Sequence, residues 1–352
     1  MRCKINISIR INKFKNLKTE YTASLLLPFN EIPTFAPILK TMHKTPVYVY
    51  LLAVLSMVFW GMSFIWSTIV FEYYDPIATI FLRLLLSSFI LWVIAKLFIK
   101  KDKIRREHYK LFLLSSLLNP FFYFLGENFG LKLTSPTISA VIIATIPLFT
   151  PIAGILLLNE RLSRMNIMGM FVSFAGILLM LIKPDLSMAA SPAGIAFLVF
   201  AIASAVSYSV VLKRLTTHYS AFTIIATQNF IGALYFLPLF LIFDFKTFIT
   251  VVPDQRLIVS LVLLAFFASS LAFIFYTVTT KHLGISKTNI FSNLIPVFTA
   301  IASYILFKEY FDTRKIIGIA LVLFGVVLSQ YNRNSGVAGI YRFINVNRKK
   351  NP

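Results

Sequence analysis

Cysteine, histidine and charged residues are scarce in this sequence. It contains one cysteine, Cys3, and four histidines, and 13% of its 352 residues are charged. A single cysteine excludes a disulfide within the chain and a cluster held by several thiolates. The four histidines all fall at the ends of long apolar stretches, which argues against haem, di-iron or zinc sites within those stretches. The sequence therefore predicts neither a metal nor another cofactor.

Apolar residues are abundant instead. They make up 58% of the chain, and the mean hydropathy is +0.81, whereas an average soluble domain is about half apolar and about a quarter charged. An ordinary soluble enzyme and a disordered chain are both excluded. Ten stretches have approximately the length that a helix needs to cross a bilayer, about 20 residues. They are 47–71, 76–99, 110–131, 136–158, 165–182, 192–212, 221–243, 257–280, 286–307 and 315–331.

These stretches predict an all-α integral membrane protein with ten transmembrane helices. A transmembrane barrel would instead show alternating segments of about 10 residues. The ten spans leave a basic N-terminal segment over residues 1–46, a tail over residues 332–352 and short connections. Met42 stands just before the first span and would make a normal start of translation for a membrane protein of this kind. We therefore expect residues 1–41 to be either an upstream extension from a mis-assigned start codon or a disordered basic arm.

The positive charge of the chain is distributed unevenly. There are 34 lysines and arginines against 13 acidic residues, a net charge of +21. If the N-terminal segment is cytoplasmic and each stretch crosses once, 26 basic residues lie on the cytoplasmic side and 7 on the other, with Arg83 inside a span. This asymmetry predicts cytoplasmic termini and a place in the cytoplasmic (inner) membrane. The orientation of the chain in the membrane then explains the excess of basic residues, and no nucleic-acid partner is expected.

Part of the sequence is repeated. Residues 146–179 match residues 295–328 at 12 of 34 positions without a gap, and a proline, a glutamate and two glycines are among the matches. The repeats extend over residues 47–183 and 192–331. Because each holds five spans, an odd number, the second repeat enters the membrane from the opposite side. Inverted repeats of this kind occur in secondary transporters, whose substrates bind near the midplane between the halves.

The motifs that carry the repeat also point to a known family. They are Leu133-Thr134-Ser135-Pro136, Pro147-Leu148-Phe149-Thr150, Asn159-Glu160-Arg161-Leu162, Lys281-His282-Leu283-Gly284, Pro296-Val297-Phe298-Thr299 and Glu309. Together with Trp60-Gly61 and Arg83, they resemble the EamA-type half-repeat of the drug/metabolite transporter superfamily. The resemblance covers about residues 47–331. It implies two inverted five-helix EamA repeats and transport by alternating access, in a family that moves amino acids, other metabolites and drugs.

Glycines and prolines recur at matching positions of the two repeats. The positions are Gly169, Gly176, Gly318, Gly325, Pro147 and Pro296. The glycines of each pair are seven residues apart and share a helix face, which predicts close helix packing. The prolines interrupt the helical hydrogen bonds, and the resulting bends either line a cavity or are buried by neighbours. Glu160 and Glu309 follow spans 4 and 9, where they are expected to clamp helical hairpins.

Polar residues within the spans form stripes at helical spacing, which must face protein or water rather than lipid. They either line a substrate cavity or bond helices together. The candidates are Trp60, Asn119, Tyr208, Gln228, Tyr276, Asn289 and Asn293. Arg83 and Glu127 are the ionisable residues clearly within spans, and we expect them to pair because burying either charge alone is costly. They are also candidates for a substrate-carboxylate site and for proton coupling.

We therefore expect an exporter of amino acids or related small metabolites. It would be a monomer or homodimer in the lipid bilayer, with protons as the candidate coupling ion. A multidrug exporter or a lipid-carrier flippase is the alternative within transport, because the many aromatic residues would suit hydrophobic cations near Glu127. A membrane-embedded enzyme fits poorly, since Glu127 would be its one embedded acid and no histidine lies within a span. A sensor fits poorly because there is no room for an output domain.

Overall fold

The chain is helical throughout the part that the computed structural model describes, which is residues 46–98, 102–149, 164–181 and 190–330. These residues belong to one compact unit, and no strand occurs among them. The predicted all-α class is thereby confirmed. The predicted N-terminal segment before residue 46 and the tail after residue 330 lie outside the described residues, as does Glu160.

The helices follow the predicted spans, and several spans consist of more than one helix. Up to residue 181 the helices are α1 (Val47–Val70), α2 (Pro76–Leu97), α3 (Tyr109–Ser116), α4 (Tyr123–Lys132), α5 (Pro136–Ile143) and α6 (Arg164–Leu181). The later helices are α7 (Pro192–Thr216), α8 (Ala221–Leu239), α9 (Phe245–Thr250), α10 (Gln255–Leu263), α11 (Ala272–Leu283), α12 (Ile285–Ile290), α13 (Ile295–Phe307) and α14 (Thr313–Gln330). Wider helical turns join α8 to α9 and α10 to α11 without a gap.

Five of these helical rods are long and apolar enough to cross a bilayer on their own. They are Val47–Val70, Pro76–Leu97, Pro192–Thr216, Ala221–Thr250 and Gln255–Leu283. Shorter apolar helices occupy Pro136–Phe149, Ile167–Leu179 and Phe291–Phe307. Each of these eight helices overlaps one of the ten predicted stretches, which supports an integral membrane protein. Some of the predicted spans consist of two shorter helices in the structure.

Proline and a preceding cap explain where several helices begin. Pro76, Pro136 and Pro192 stand at the first position of their helices, where a backbone N–H would have no helical partner and its absence therefore costs nothing. Before Pro136, the hydroxyl of Ser135 accepts a hydrogen bond from the backbone N–H of Ile138 at 3.3 Å. Such a cap satisfies one of the unpaired N–H groups at the helix start.

The predicted stretch over residues 110–131 is broken where the sequence pattern predicted one helix. Asn119 has extended backbone angles (φ −146°, ψ 116°), and the Asn119–Pro120 peptide bond is cis. Proline disfavours helical angles in the residue before it, which is the physical reason for the break. The hydroxyl of Ser204 in α7 donates to the carbonyl oxygen of Leu118 at 2.6 Å and so satisfies a backbone group beside the break.

Two further breaks lie at equivalent positions of the repeats. After α5 the chain turns at residues 144–145 and resumes helical conformation at Ile146, one residue before Pro147. In the second half a short 3₁₀ turn over Phe291–Leu294 precedes α13, and Pro296 is the second residue of that helix. Both prolines therefore stand at the start of a new helical segment, where their missing N–H is tolerated.

Helices α6 and α14 approach each other backbone to backbone through their glycines. A Cβ atom added to Gly176 would lie 2.7 Å from the carbonyl oxygen of Gly318, and one added to Gly325 would lie 2.6 Å from that of Gly169. The two contacts are equivalent, because adding 149 to a residue number in the first repeat gives the matching position in the second. This is the close packing that small residues permit between helices in lipid, where apolar side chains gain little by leaving the membrane.

The two halves also pack directly on one another. The carbonyl oxygen of Gly61 in α1 accepts a hydrogen bond from the Thr299 hydroxyl in α13 at 3.0 Å. A Cβ atom on Gly61 would lie 2.9 Å from that of Phe298. Likewise, α4 meets α7 where a Cβ on Gly126 would lie 2.8 Å from the backbone nitrogen of Ala201. The interior between the halves is thus built from helices of both repeats.

Glu309 joins three helix ends, one of them from the other half. Its carboxylate accepts hydrogen bonds from Ser135 at 3.2 Å and from Thr137 at 2.7 Å, both at the start of α5. Ser303 of α13 also donates to it, and the Lys315 ammonium of α14 lies 3.0 Å away. Sequence alone predicted a clamp within one hairpin, and the structure extends that clamp across the repeats.

The Glu309 clamp predicts a stability difference that depends on pH. Burial alone would raise the pKa of Glu309, but the hydrogen bonds that it accepts and the charge of Lys315 outweigh burial and lower the pKa. A lowered native pKa stabilises the fold above the ordinary glutamate pKa of 4.5, and this contribution is lost as pH falls through the native value. Glu309→Gln should therefore lower the free energy of unfolding by about 1–3 kcal/mol near pH 7, and thermal unfolding in detergent should show the difference shrinking below pH 4.5.

The matched control is Glu107→Gln, because the Glu107 side chain is 64% exposed and has no comparable set of donors. Its unfolding temperature should match that of the wild type at every pH. A Glu309→Gln variant with wild-type stability at pH 7 would contradict the clamp.

Candidate functional site

A cavity lies between helices of the two halves. Its lining residues come from seven of the helices and from the breaks between them. They are Trp60, Asn119, Tyr123, Ile143, Ile146, Ala205, Tyr208, Ser209, Phe273, Tyr276, Asn289, Ser292 and Ile295. Aromatic rings, aliphatic side chains and neutral polar groups therefore form this lining, and none of its described residues is charged.

The helix breaks open onto this cavity. Asn119 marks the break between α3 and α4, Ile143 and Ile146 flank the turn after α5, and Ser292 and Ile295 belong to the interruption before α13. Irregular backbone at membrane depth is tolerated where it is buried in protein or faces a water-filled space. The position of the breaks is thus consistent with a hydrated interior.

Aromatic rings form one wall. The Trp60 ring meets the Phe273 ring edge to face, with centroids 4.9 Å apart, and its centroid lies 5.1 Å from that of Tyr276. The indole nitrogen of Trp60 has no hydrogen-bond partner among the described residues. A buried N–H donor without a protein partner is uncommon in proteins, and the Trp60 side chain belongs to the cavity lining.

Hydrogen bonds hold the polar lining in place. Tyr276 donates its hydroxyl proton to Asn289 Oδ1 at 2.7 Å, which joins α11 to α12. Tyr208 of α7 donates to Gln228 Oε1 at 3.1 Å, and Gln228 Nε2 donates to the Ser115 hydroxyl at 3.0 Å. Gln228 itself lies behind the lining, where it orients Tyr208.

Glu127 also lies behind the lining and is connected to it by one hydrogen bond. The Tyr123 hydroxyl donates to Glu127 Oε1 at 2.8 Å, and the two residues are one turn apart on α4. Tyr123 is a lining residue, whereas Glu127 is buried and is not among the lining residues. The carboxylate is therefore connected to the lining through the tyrosine.

Arg83 does not form the direct ion pair with Glu127 that the sequence predicted, because no ion pair between the described residues involves it. Its Nε atom donates to the Ser269 hydroxyl at 2.8 Å, and its guanidinium carbon lies 4.3 Å from the centre of the Phe124 ring. One Nη atom of this fully buried side chain has no hydrogen-bond partner within the described part of the chain. The ring is the group in direct contact with the guanidinium, while Glu127 interacts with Arg83 through space without a direct ion pair.

No group of three or more histidine, cysteine, aspartate or glutamate side chains with metal-binding geometry occurs among the described residues. The site therefore offers aromatic surface and neutral hydrogen-bonding groups, with charge one layer behind.

Comparison with known proteins matches this architecture to one family. The model of the EamA-like transporter family fits the chain twice, over residues 47–182 and 192–331. The chain belongs to the EamA-like transporter family.

Relatives of the transporter support the same conclusion. The uncharacterized transporter YetK of Bacillus subtilis (strain 168) is 27% identical over 62% of this chain and 66% of its own length. An uncharacterized transporter of Archaeoglobus fulgidus is 24% identical over 79% of this chain and 97% of its own length. YyaM, another uncharacterized transporter of Bacillus subtilis, is 25% identical over 86% and 97% of the two chains. The protein is thus a membrane transporter, and its family points to a small-molecule substrate and not to catalysis.

A crystal structure of another protein shares the fold of the transporter. The superposition has a TM-score of 0.62 and covers 80% of this chain and 98% of the other, at 15% sequence identity. At that identity the match concerns the fold alone.

The structure places five of the predicted site residues of the transporter in the cavity lining, namely Trp60, Asn119, Tyr208, Tyr276 and Asn289. Four others do not line it: Arg83, Glu127, Gln228 and Asn293. The Asn293 side chain is 9% exposed, and neither of its amide atoms has a hydrogen-bond partner among the described residues.

Several lining residues were not among the predicted site residues. Tyr123 and Ser292 belong to the polar stripes of their spans, so a signal for them existed. Phe273 likewise belongs to the stripe of its span, whereas the isoleucines and Ala205 carry no such signal, because apolar side chains occur on every face of these helices.

Proposed function

We propose that this transporter exports amino acids or related small metabolites across the cytoplasmic (inner) membrane by alternating access. One observation carries the proposal: the cavity lies between the inverted halves and is lined by residues from both, at the level where their helices are broken. Rocking one half against the other would expose such a cavity to each side in turn. Ten spans with cytoplasmic termini supply the topology, supported by the 26 to 7 distribution of basic residues.

Protons are the proposed coupling ion, and Glu127 is the residue that would carry them. It is buried, and its hydrogen bond from Tyr123 connects it to the cavity. The neighbouring helices bring Arg83 of α2 to the Phe124 ring, one turn from Glu127, and Tyr208 and Tyr276 are the other titratable groups of the cavity lining. Acidic residues within membrane spans commonly serve proton relays.

A multidrug exporter is the second candidate, because the rings of Trp60, Phe273 and Tyr276 form a continuous apolar wall. That wall would suit flat hydrophobic molecules as well as the side chain of an aromatic amino acid.

Counterflow in proteoliposomes tests the transport function. Vesicles loaded with an unlabelled amino-acid mixture should accumulate labelled amino acids, and Tyr276→Ala should lower the initial rate at least about tenfold because it removes both a ring and the anchor of Asn289. Tyr235→Phe is the control, since the Tyr235 hydroxyl bonds to the carbonyl of Leu113 outside the cavity. Equal rates in empty and protein-containing vesicles, across amino acids and cationic dyes, would overturn the proposal.

The same vesicles test the coupling. With a pH gradient imposed, the wild type should accumulate substrate above equilibrium, whereas Glu127→Gln should still exchange substrate but no longer respond to the gradient. The glutamine keeps an acceptor for Tyr123 and loses the titratable group. An unchanged pH response in Glu127→Gln would rule out proton coupling at this residue.

A further inference from the structure

Two sets of contacts join the halves at opposite ends of the bundle. One set lies where α1 ends and α2 begins, and the other lies where α2 ends and α3 begins. The cavity lies between these ends, because its lining residues Trp60 and Tyr208 stand well inside α1 and α7. Under the proposed topology, the first end faces outward and the second faces the cytoplasm.

Charged side chains make the contacts at the outward end. The carboxylate of Glu72, just after α1, accepts two hydrogen bonds from the guanidinium of Arg256 at the start of α10, at 2.7 and 3.0 Å. Beside this pair, the Tyr73 hydroxyl donates to Asp254 Oδ2 at 2.7 Å. We name these four residues the outer gate, because each of its bonds joins the first half to the second.

Backbone groups and neutral side chains make most of the contacts at the cytoplasmic end. Asp102 Oδ2, between α2 and α3, accepts from the backbone N–H and the hydroxyl of Ser220 at 2.7 and 2.6 Å. The Tyr219 hydroxyl lies 2.7 Å from His108 Nδ1 and accepts from the backbone N–H of Arg105 at 3.1 Å. We name these five residues the cytoplasmic gate, because its bonds also run from one half to the other.

The inverted repeat relates the two gates to each other. The outer gate joins the connection between the first and second spans of the first half to the connection between the second and third spans of the second half. The cytoplasmic gate joins the same two connections with the halves exchanged. In both, a tyrosine (Tyr73 or Tyr219) contacts the residue that caps the start of the third span in the other half (Asp254 or Arg105). Such equivalence is expected of contacts that exchange roles when one half rocks against the other.

The gates differ in charge. The Glu72–Arg256 ion pair crosses the halves at the outer end, whereas no ion pair within the described part of the chain crosses them at the cytoplasmic end. About half of each of these two side chains is exposed. Salt screens exposed charges, since the Debye length is about 10 Å at 0.1 M and about 3 Å at 1 M. The outer gate should therefore weaken in salt more than the cytoplasmic gate.

We propose that these clusters are two alternating gates of the transporter. The outer gate releases when the cavity opens outward, and the cytoplasmic gate releases when the cavity opens to the cytoplasm. This inference rests on the proposed function, because it takes alternating access and the sidedness of the bundle from it. It assigns Glu72 and Arg256 as a salt-sensitive pair whose loss shifts the population toward the outward-open conformation.

Thiol labelling from each side measures the balance between the two conformations. With Cys3→Ser and Ala205→Cys, the single thiol of the chain lies in the cavity lining. The probe is a membrane-impermeant maleimide added to right-side-out or inverted vesicles, and the labelled fraction is divided by the fraction that labels after denaturation. Arg256→Gln should raise the labelling rate from outside about threefold and lower the rate from the cytoplasmic side, as expected for the loss of one exposed ion pair. The effect is a shift and not complete opening, because the Glu309 clamp remains.

Lys132→Gln is the matched control. Lys132 pairs with Asp75 at the same end of the bundle, and both partners belong to the first half. The exposed fractions of the two basic side chains are similar, 41% for Lys132 and 53% for Arg256. Each substitution removes one positive charge, so a nonspecific effect of charge would be equal in both. Lys132→Gln should leave both labelling rates unchanged.

Charge exchange and salt test the ion pair itself. Arg256→Glu places two carboxylates together and should open the outer gate further, whereas Glu72→Arg combined with Arg256→Glu restores a pair and should restore the wild-type rates. Raising the external salt concentration from about 0.05 M to about 0.5 M should speed outside labelling of the wild type about twofold, and should not do so in Arg256→Gln.

The cytoplasmic gate should respond in the opposite sense. Asp102→Ala removes the acceptor of both Ser220 hydrogen bonds. Labelling of residue 205 from the cytoplasmic side should then become about threefold faster, and labelling from outside should become slower. Faster labelling from outside in Asp102→Ala would contradict the assignment of this gate.

The outcomes separate the gates from the proposed function. If Arg256→Gln and Lys132→Gln shift the labelling rates equally, or if the exchanged pair labels like Arg256→Glu alone, the gates are wrong, while counterflow by the wild type would still support transport. If the labelling rates shift as expected but the vesicles show no counterflow, the gates stand and the proposed transport function is wrong.

Discussion

The need to satisfy backbone hydrogen bonds within a bilayer controls this structure. In lipid, an unpaired N–H or C=O group costs several kcal/mol, so a helix can be interrupted only where protein or water reaches the freed groups. The breaks at Asn119, at residues 144–145 and at Phe291–Leu294 all meet at the same cavity. At the first break, the Ser204 hydroxyl satisfies the carbonyl oxygen of Leu118. Broken helices and the central cavity are therefore two consequences of one constraint.

The contacts that hold the helices together are separate from the cavity lining. Glycine contacts bring α6 and α14 together at the backbone, and the Glu309 carboxylate ties α5 to α13 and α14. These contacts lie at helix faces and ends, whereas the cavity is bounded by rings, aliphatic side chains, hydroxyls and amides. In an alternating-access transporter, contacts between the halves must form and break, and the Glu309 cluster is one contact that spans them.

Sequence reasoning predicted the helical class, the apolar spans and the positions of the paired glycines and prolines, because each depends on periodicity or on a backbone property of one residue. It missed the break at Asn119, where Pro120 stands inside a long apolar run that otherwise predicts a continuous helix. The direct ion pair of Arg83 with Glu127 was wrong for a different reason, although the two charges still interact electrostatically. Span positions fix the depth of a residue in the membrane but not its rotation around the helix, and rotation placed Arg83 against Phe124 and Ser269. The role of Tyr123 was within reach, since it lies one turn from Glu127 on the same helix face.

Thiol labelling from each side of the membrane tests the central claim, a single cavity that opens to both sides in turn. The chain has one cysteine, so Cys3→Ser with Ala205→Cys places a unique thiol in the cavity lining, and Leu234→Cys in α8, 50% exposed, is the control. A membrane-impermeant maleimide added to right-side-out or to inverted vesicles should modify residue 205 from either side, should block counterflow, and should leave residue 234 unmodified in the lipid. Modification of residue 205 from one side only, or from neither, would contradict alternating access through this cavity.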